Sequence, residues 1–151
     1  MTSTWIETQP KPTVQSVLDG ILDYLGITED QLGPSVGQEG FRIEFEDNYC
    51  VELATLTQEH CRFSARICLL ARSLEVQERQ IHKALDLYAE LHNGFPIAMS
   101  LSISHFDNCL RMTTEVAPGE YLIENKPGKL EDYFENFVNY SHAFKKTYLN
   151  P

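Results

Sequence analysis

The chain has 151 residues, of which 22 are acidic and 12 are basic, so its formal net charge is −10. This charge disfavours binding to nucleic-acid phosphates and to anionic membranes, and it favours basic or apolar partners. Hydrophobic residues make up 42% of the chain and aromatic residues 11%, which argues against disorder and predicts one domain with a single core.

Targeting and membrane-spanning patterns are absent from the sequence. The first ten residues include neither a basic segment nor an apolar segment, so they do not predict a signal peptide. No apolar run approaches the roughly 18 residues that span a bilayer, and we expect a cytoplasmic protein with no membrane insertion. The cysteines form no C-x-x-C pair and are expected to be reduced, buried hydrophobes: Cys50, Cys61, Cys68 and Cys109.

The first predicted element is an amphipathic helix. We expect residues 1–12 to form a mobile N-terminal arm and residues 13–150 to form a single domain. Thr13 is a suitable N-cap and Gly26 a suitable C′ residue. Between them, apolar residues recur at steps of three and four: Val14, Val17, Leu18, Ile21, Leu22 and Leu25. Residues 27–40 contain several glycines and one proline, which predicts a loop.

From Phe41 onwards the hydrophobic period changes to two. Three alternating segments, Phe41–Glu46, Tyr49–Thr55 and Cys61–Leu70, are separated by Asp47-Asn48 and by a polar turn at 58–60. This pattern predicts an antiparallel meander with one polar and one apolar face. The apolar face would consist of Phe41, Ile43, Phe45, Val51, Leu53 and Phe63.

The second half of the chain predicts a helix at Glu75–His92, strands at Ile97–Ser104 and Cys109–Val116, a loop at 118–128, and a final helix from Lys129. The final helix has a broad, mostly aromatic stripe: Leu130, Phe134, Phe137, Ser141, Phe144 and Tyr148. Such a stripe favours packing onto a sheet. The predicted fold is therefore α+β, a five-stranded antiparallel sheet with three helices in the order α-βββ-α-ββ-α.

No pattern of residues predicts catalysis or metal binding. The nucleotide-binding, zinc-protease and serine-hydrolase motifs are absent. Cys61 and Cys68 lie an odd number of positions apart and would point to opposite faces of a strand, which argues against a closed zinc site. His82 and His92 do not share a helix face. We expect no enzyme activity, no metal and no cofactor.

The second helix predicts an interface between two copies of the chain. The first and last helices can cover the apolar face of the sheet, which leaves the second helix without a surface. Its large apolar residues, with one from the next strand, are Ile81, Leu85, Tyr88, Leu91 and Met99. Burying them would contribute about 8–15 kcal/mol, at about 1.5–3 kcal/mol each, which favours a two-fold dimer. Alternatively, this helix packs within its own subunit.

Three segments resemble the class I effector chaperones of bacterial type III secretion, the Tir-chaperone-like family. Phe41–Leu56 is similar to the family's first hairpin, Phe95–Val116 to its second, and Leu130–Leu149 to its final helix. The element order, the acidic charge and the chain length agree with this resemblance. The chain departs from the family in its 12-residue arm, which includes Trp5.

The resemblance implies a homodimeric, ATP-independent chaperone that binds the N-terminal segment of a secreted effector and keeps it secretion-competent. By analogy, the second helix and fourth strand form the dimer interface, which adds Leu101. The effector would add a strand to a sheet edge and place short helices in apolar grooves. The candidate groove residues, some of which could be core, are Leu18, Leu22, Leu25, Tyr49, Val51, Leu53 and Phe63.

Two other functions remain open. One is a generic α+β protein-binding adaptor that is unconnected to secretion. The other is a small-ligand-binding or hydrolytic domain with a pocket under the last helix, close to Tyr133, Tyr140 and His142.

Overall fold

A computed structural model of the protein describes residues 14–34, 40–45, 48–57, 60–116 and 129–150. The predicted arm at 1–12, the N-cap Thr13 and the loop at 118–128 lie outside the described residues. The helices are α1 (Val14–Leu25), α2 (Leu74–Leu91) and α3 (Lys129–Leu149). The strands are β1 (Gly33–Pro34), β2 (Gly40–Glu44), β3 (Cys50–Thr57), β4 (His60–Leu69), β5 (Ser100–Ser104) and β6 (Cys109–Val116).

All neighbouring strands pair antiparallel, in the spatial order β1-β2-β3-β4-β6-β5. The predicted α+β fold, with its five main strands in the order α-βββ-α-ββ-α, is confirmed. The two-residue β1 is an addition within the predicted loop at 27–40. It pairs with Phe41 and Arg42 of β2 and forms one edge of the sheet.

Helix α1 ends at a glycine, as predicted. Gly26 has a φ of +69°, a left-handed conformation that residues with a Cβ rarely adopt. Its N–H donates to the carbonyl of Asp23 at 3.2 Å, and the N–H of Ile27 donates to the carbonyl of Leu22 at 3.1 Å. These two bonds form a Schellman motif, which satisfies the last helical carbonyls and directs the chain away from the helix axis.

Helices α1 and α3 together cover one face of the sheet. Phe63 of β4 lies at the centre of this core, with its ring centroid 5.2 Å from that of Phe134 in an edge-to-face contact. On α3, all six residues of the predicted stripe are buried: Leu130, Phe134, Phe137, Ser141, Phe144 and Tyr148. The Tyr24 hydroxyl donates to the Glu135 carboxylate at 2.7 Å and links α1 to α3. The prediction that this helix packs onto the sheet is confirmed.

Strand β4 contains an irregularity that the alternating pattern did not predict. The pairing with β6 shifts register between Arg66 and Cys68, so one additional residue lies on β4. Because side chains alternate with a period of two, such an insertion exchanges the faces of the residues that follow. Regular alternation from Phe63 along the predicted strand Cys61–Leu70 would place Leu69 on the apolar face. This placement is wrong, because Leu69 is 66% exposed and Leu70 is buried instead.

The fourth main strand is shorter than predicted, because two carbonyls before it accept side-chain hydrogen bonds. The hydroxyl of Thr114 donates to Ala98 at 2.7 Å, and that of Tyr88 donates to Met99 at 2.6 Å. Strand β5 consequently begins at Ser100, whereas the sequence pattern begins at Ile97.

Helix α2 packs beside α3 along part of its surface. Ala84 is buried, the Tyr148 hydroxyl donates to the carbonyl of Gln80 at 3.1 Å, and the Lys83 ammonium lies 4.6 Å from the centroid of the Tyr148 ring. The other side of α2 is open, with Leu74 and Leu85 exposed. This helix therefore has one face within the subunit and one apolar face directed to solvent.

The polar face of the sheet, whose side chains point away from the core, contains a buried ion-pair network. Arg111 of β6 reaches across the small Ser64 of β4 to the carboxylate of Glu52 on β3, and both charged side chains are over 90% buried. Its second nitrogen donates to Asp107 at 2.7 Å, and Arg66 donates to the same carboxylate at 3.0 Å. Each buried charge therefore has a partner, and removal of one partner would leave an uncompensated buried charge.

Asp107 gives this network a pH dependence. Burial raises the pKa of its carboxyl, but the hydrogen bond and charge of Arg111, together with Arg66, outweigh burial and lower the pKa to about 2. The folded-state pKa lies below the ordinary value of 3.8. The resulting stabilisation is present above that ordinary value and is lost as the pH falls towards about 2.

We expect the free energy of unfolding, measured with urea, to fall between about pH 4 and about pH 2, and the Asp107→Asn variant to show a shallower fall. Asp86→Asn, which removes an equal charge from an exposed position on α2, is the control and should retain the wild-type slope. Equal slopes for wild type and Asp107→Asn would contradict the assignment.

Two glycines of α1 should respond in opposite directions to alanine. Gly26→Ala forces a Cβ into the left-handed region and should destabilise the protein by about 1 kcal/mol. Gly20→Ala lies inside the helix, where its Cβ would meet Glu131 at an ordinary 3.6 Å, and should stabilise by about 0.5–1 kcal/mol. Urea unfolding measures both, and a change of the same sign would contradict the Schellman ending.

Candidate functional site

An open apolar groove of about 540 Å³ lies where α1 ends, β2 ends and α3 passes over the sheet. We call it the apolar groove. Its lining consists of six large apolar or aromatic residues and two polar ones: Leu25, Ile27, Ile43, Phe45, Tyr49, Val138, Glu44 and His142. The Schellman ending of α1 places Leu25 and Ile27 at this opening, because the chain turns there and no longer covers the sheet.

Tyr49 forms a fixed part of the groove wall. Its hydroxyl is hydrogen-bonded to the hydroxyl of Ser141, which in turn donates to the carbonyl of Phe137 at 2.6 Å. Because the single proton of Ser141 is used on Phe137, Tyr49 is the donor to Ser141. The ring of His142 stacks on Tyr49 at 4.5 Å between centroids. Burial raises the pKa of Tyr49, so this residue is a neutral structural element.

The groove borders an open sheet edge. Strand β1 pairs with Phe41 and Arg42 alone, so the outer side of Ile43 and Glu44 has no strand partner among the described residues. Unpaired backbone N–H and C=O groups at such an edge can accept an added strand. The side chains of Ile43 and Phe45 line the groove, so a strand added here would have apolar surface beside it.

The structure places the predicted groove residues in two groups. Leu25 and Tyr49 line the apolar groove. Leu25 is partly buried, whereas Tyr49 is only 1% exposed. The other five are buried in the core and do not line the groove: Leu18, Leu22, Val51, Leu53 and Phe63. Their contact with a client stays a prediction. Sequence reasoning placed Ile43 and Phe45 on the apolar face of the sheet and did not predict them as groove residues. It also missed Ile27 and Val138, which reach the groove through tertiary packing and have no distinguishing sequence signal.

The predicted dimer residues differ in exposure. Leu85 is exposed and Met99 is buried. The others are partly buried against the core: Ile81, Tyr88, Leu91 and Leu101. Their contact with a second copy also stays a prediction.

The pocket predicted under the last helix is only partly formed. His142 lines the apolar groove, whereas the hydroxyl of Tyr133 is hydrogen-bonded to Thr114 and Tyr140 is exposed. Within the described ranges, no three His, Cys, Asp or Glu residues are grouped as metal ligands. The helices that the structure describes include none long and apolar enough to cross a membrane.

No protein-family model and no curated protein sequence matches the chain. Solved structures do match it. The type III secretion chaperone SycH of Yersinia pestis, crystallised with a stable fragment of YscM2, aligns with a TM-score of 0.52 and 14% identity, over 87% of this chain and 99% of that chain.

Two further complexes contain a similar chain. The HopA1–SchA chaperone–effector complex aligns with a TM-score of 0.51 and 13% identity, over 87% of this chain and 92% of that chain. The ExsC–ExsE complex aligns with a TM-score of 0.55 and 9% identity, over 91% of this chain and 96% of that chain. At such identities the likeness establishes the fold. The chain therefore has the fold of the type III secretion chaperones.

Proposed function

We propose that the protein is a homodimeric, ATP-independent chaperone in the bacterial cytoplasm. Its client would be the N-terminal chaperone-binding segment of a type III secretion effector, which it keeps soluble and secretion-competent. The observation that carries this proposal is the apolar groove beside an unpaired sheet edge. The shared fold with chaperones that were crystallised in complex with other proteins supports it.

The sheet edge would bind the main chain of the client, and the apolar groove would bind its side chains. The N–H of Phe45 donates to Tyr49, and Ile43 lies opposite Val51, so the backbone groups of Ile43 pair with β3 and those of Glu44 point outward. Main-chain hydrogen bonds to Glu44 would hold a short extended segment irrespective of its sequence, and alternate side chains of that segment would enter the groove and give specificity. Leu25 and Tyr49 would contact the client directly. The buried Leu18, Leu22, Val51, Leu53 and Phe63 would set the shape of the groove from below.

The dimer would form through the exposed side of α2 and its surroundings. Large apolar side chains are exposed on α2, at the end of β4, on β5 and at the β5–β6 turn: Leu69, Leu74, Leu85, Ile103 and Phe106. Exposed large apolar residues favour an interface, and a two-fold axis would let the same residues of two copies cover each other. The partly buried Ile81, Tyr88, Leu91 and Leu101, with Met99, would extend it.

The client site can be tested with Ile27→Asp, which places a charge in the apolar groove. The probe is a tagged effector fragment whose gene lies beside that of the chaperone. We expect the variant to retain less than about a tenth of the fragment that the wild type retains, because burying an unpaired carboxylate is costly. Leu149→Asp is the matched control: it changes an exposed apolar residue of α3 outside the groove and should bind normally. Wild-type retention by Ile27→Asp, or no retention by the wild type, would contradict the proposal.

The dimer can be tested with Leu85→Asp. Light scattering should give a dimer mass for the wild type and for Leu149→Asp, and a monomer mass for Leu85→Asp, because two carboxylates would meet near the axis. A monomeric wild type would remove the dimer from the proposal. A dimeric Leu85→Asp variant would show that the interface does not include this position of α2.

A further inference from the structure

A second cavity lies at the same end of the sheet, on its polar face, and encloses about 130 Å³. We call it the cationic pocket. The described residues that line it include four cations and a single carboxylate: Arg42, Asn48, Cys50, Glu52, Arg66, Arg111 and Lys145. In a chain with a net charge of −10, such a concentration of positive charge is the reverse of the overall balance.

The inner part of the pocket is already neutralised. Arg111 is paired with Glu52 and Asp107, and Arg66 is paired with Asp107. Two carboxylates therefore compensate two guanidinium groups. The two remaining cations, Arg42 and Lys145, lie at the pocket but outside this network.

Arg42 lies over the sheet edge, and at least one of its N–H groups has no hydrogen-bond partner among the described residues. A Cβ on Gly33 would lie 2.8 Å from Nη2 of Arg42, so the absence of a side chain at Gly33 leaves room for the guanidinium. Its Nε is buried and has no hydrogen-bond partner. Its ion pair with Glu44, at 3.2 Å, joins two substantially exposed side chains, and such pairs are weak.

Lys145 supplies the second cation from α3. Its ammonium lies 5.7 Å from the centroid of the Tyr49 ring, and it forms no ion pair with another described residue. Four cations surround the cavity, and the carboxylates paired with them are three: Glu44, Glu52 and Asp107. One positive charge therefore has no counter-charge in the described part of the chain. An anion with two acceptor oxygens would satisfy both Arg42 and Lys145.

We propose that the cationic pocket binds the carboxylate of an aspartate or glutamate side chain in the client polypeptide. This inference rests on the proposed function. A cavity of this size holds one small anionic group and is below the usual volume of organic-ligand sites. Arg42 and Ile43 are consecutive on β2 and point to opposite faces of the sheet. Strand β1 already pairs with Arg42, so an added strand would lie beside Ile43 and Glu44, and its alternate side chains would face the apolar groove and the cationic pocket in turn. The recognised client segment therefore alternates apolar residues, in the apolar groove, with an acidic residue in the cationic pocket.

The pocket can be tested without a client by NMR titration of the full-length chain with N-acetylglutamate α-amide. We expect saturable shifts of the backbone amides of Arg42, Asn48 and Cys50, and none with N-acetylglutamine amide, which has the same size and no charge. No saturable shift would overturn the inference. Binding of inorganic phosphate at least about tenfold tighter than the carboxylate would also overturn it and would assign the site to a phosphoryl group.

Variants that remove one positive charge inside or outside the pocket distinguish binding in the pocket from non-specific electrostatic attraction of the carboxylate. Arg42→Gln and Lys145→Gln should each weaken binding of the carboxylate about fivefold, because each removes a partly exposed charge-assisted hydrogen bond. Arg62→Gln on the same face and Lys146→Gln on the same helix lie outside the pocket and should change it less than about twofold. Gly33→Ala keeps the charge but displaces the guanidinium, and should weaken binding as Arg42→Gln does. Equal weakening in all five variants would overturn the inference.

This experiment and the client experiment fail in different ways. Loss of effector retention by the wild type overturns the proposed function, whatever the small carboxylate does. Retention of the effector without any binding of the small carboxylate leaves the chaperone proposal in place and overturns the proposal that the cationic pocket binds an acidic side chain of the client. If both bind, Lys145→Gln should reduce retention of the fragment and Lys146→Gln should not.

Discussion

The apolar face of the sheet has to be covered, and the contact between α3 and β4 satisfies this requirement. Phe63 packs against Phe134 and Phe137, and the whole stripe of α3 is buried on the strands. Helix α1 covers the remaining part until Gly26 ends it. The groove exists because this cover stops short: beyond Leu25 the chain turns away, and Ile27, Phe45 and Val138 are only partly buried at the opening. The candidate site is thus a consequence of where one helix ends.

The opposite face of the sheet is stabilised differently: its buried side chains are charged and are paired with one another. Arg111 is satisfied by Glu52 and Asp107 and passes over Ser64, whose small side chain leaves space for it. Burying a single one of these charges would be unfavourable, so their pairing fixes the side chains in one arrangement. With the inner charges paired off, Arg42 and Lys145 are left as the groups at the pocket available to a ligand.

Local patterns predicted the fold well, and tertiary contacts account for the errors. The period of three and four identified α1 and the stripe of α3, and Gly26 identified a helix end, because each depends on neighbours in the sequence. The two-residue β1, the register shift after Arg66 and the pairing of Arg111 with Glu52 depend on residues far apart in the chain. Apolar periodicity also does not distinguish core from groove. Six of the seven predicted groove residues are buried within the subunit, and their contact with a client stays a prediction, while Ile27 and Val138 line the groove without having been predicted.

The shortness of β1 also bears on self-association. An open, fully exposed outer strand invites unlimited stacking of identical molecules through their backbones. Here Gly33 and Pro34 occupy half of β2, and proline has no N–H with which to extend the ladder. On this side of the sheet, the described residues leave only a brief stretch of outward-facing hydrogen-bonding positions, which suits a short guest strand and is too short for two such edges to join into a fibre.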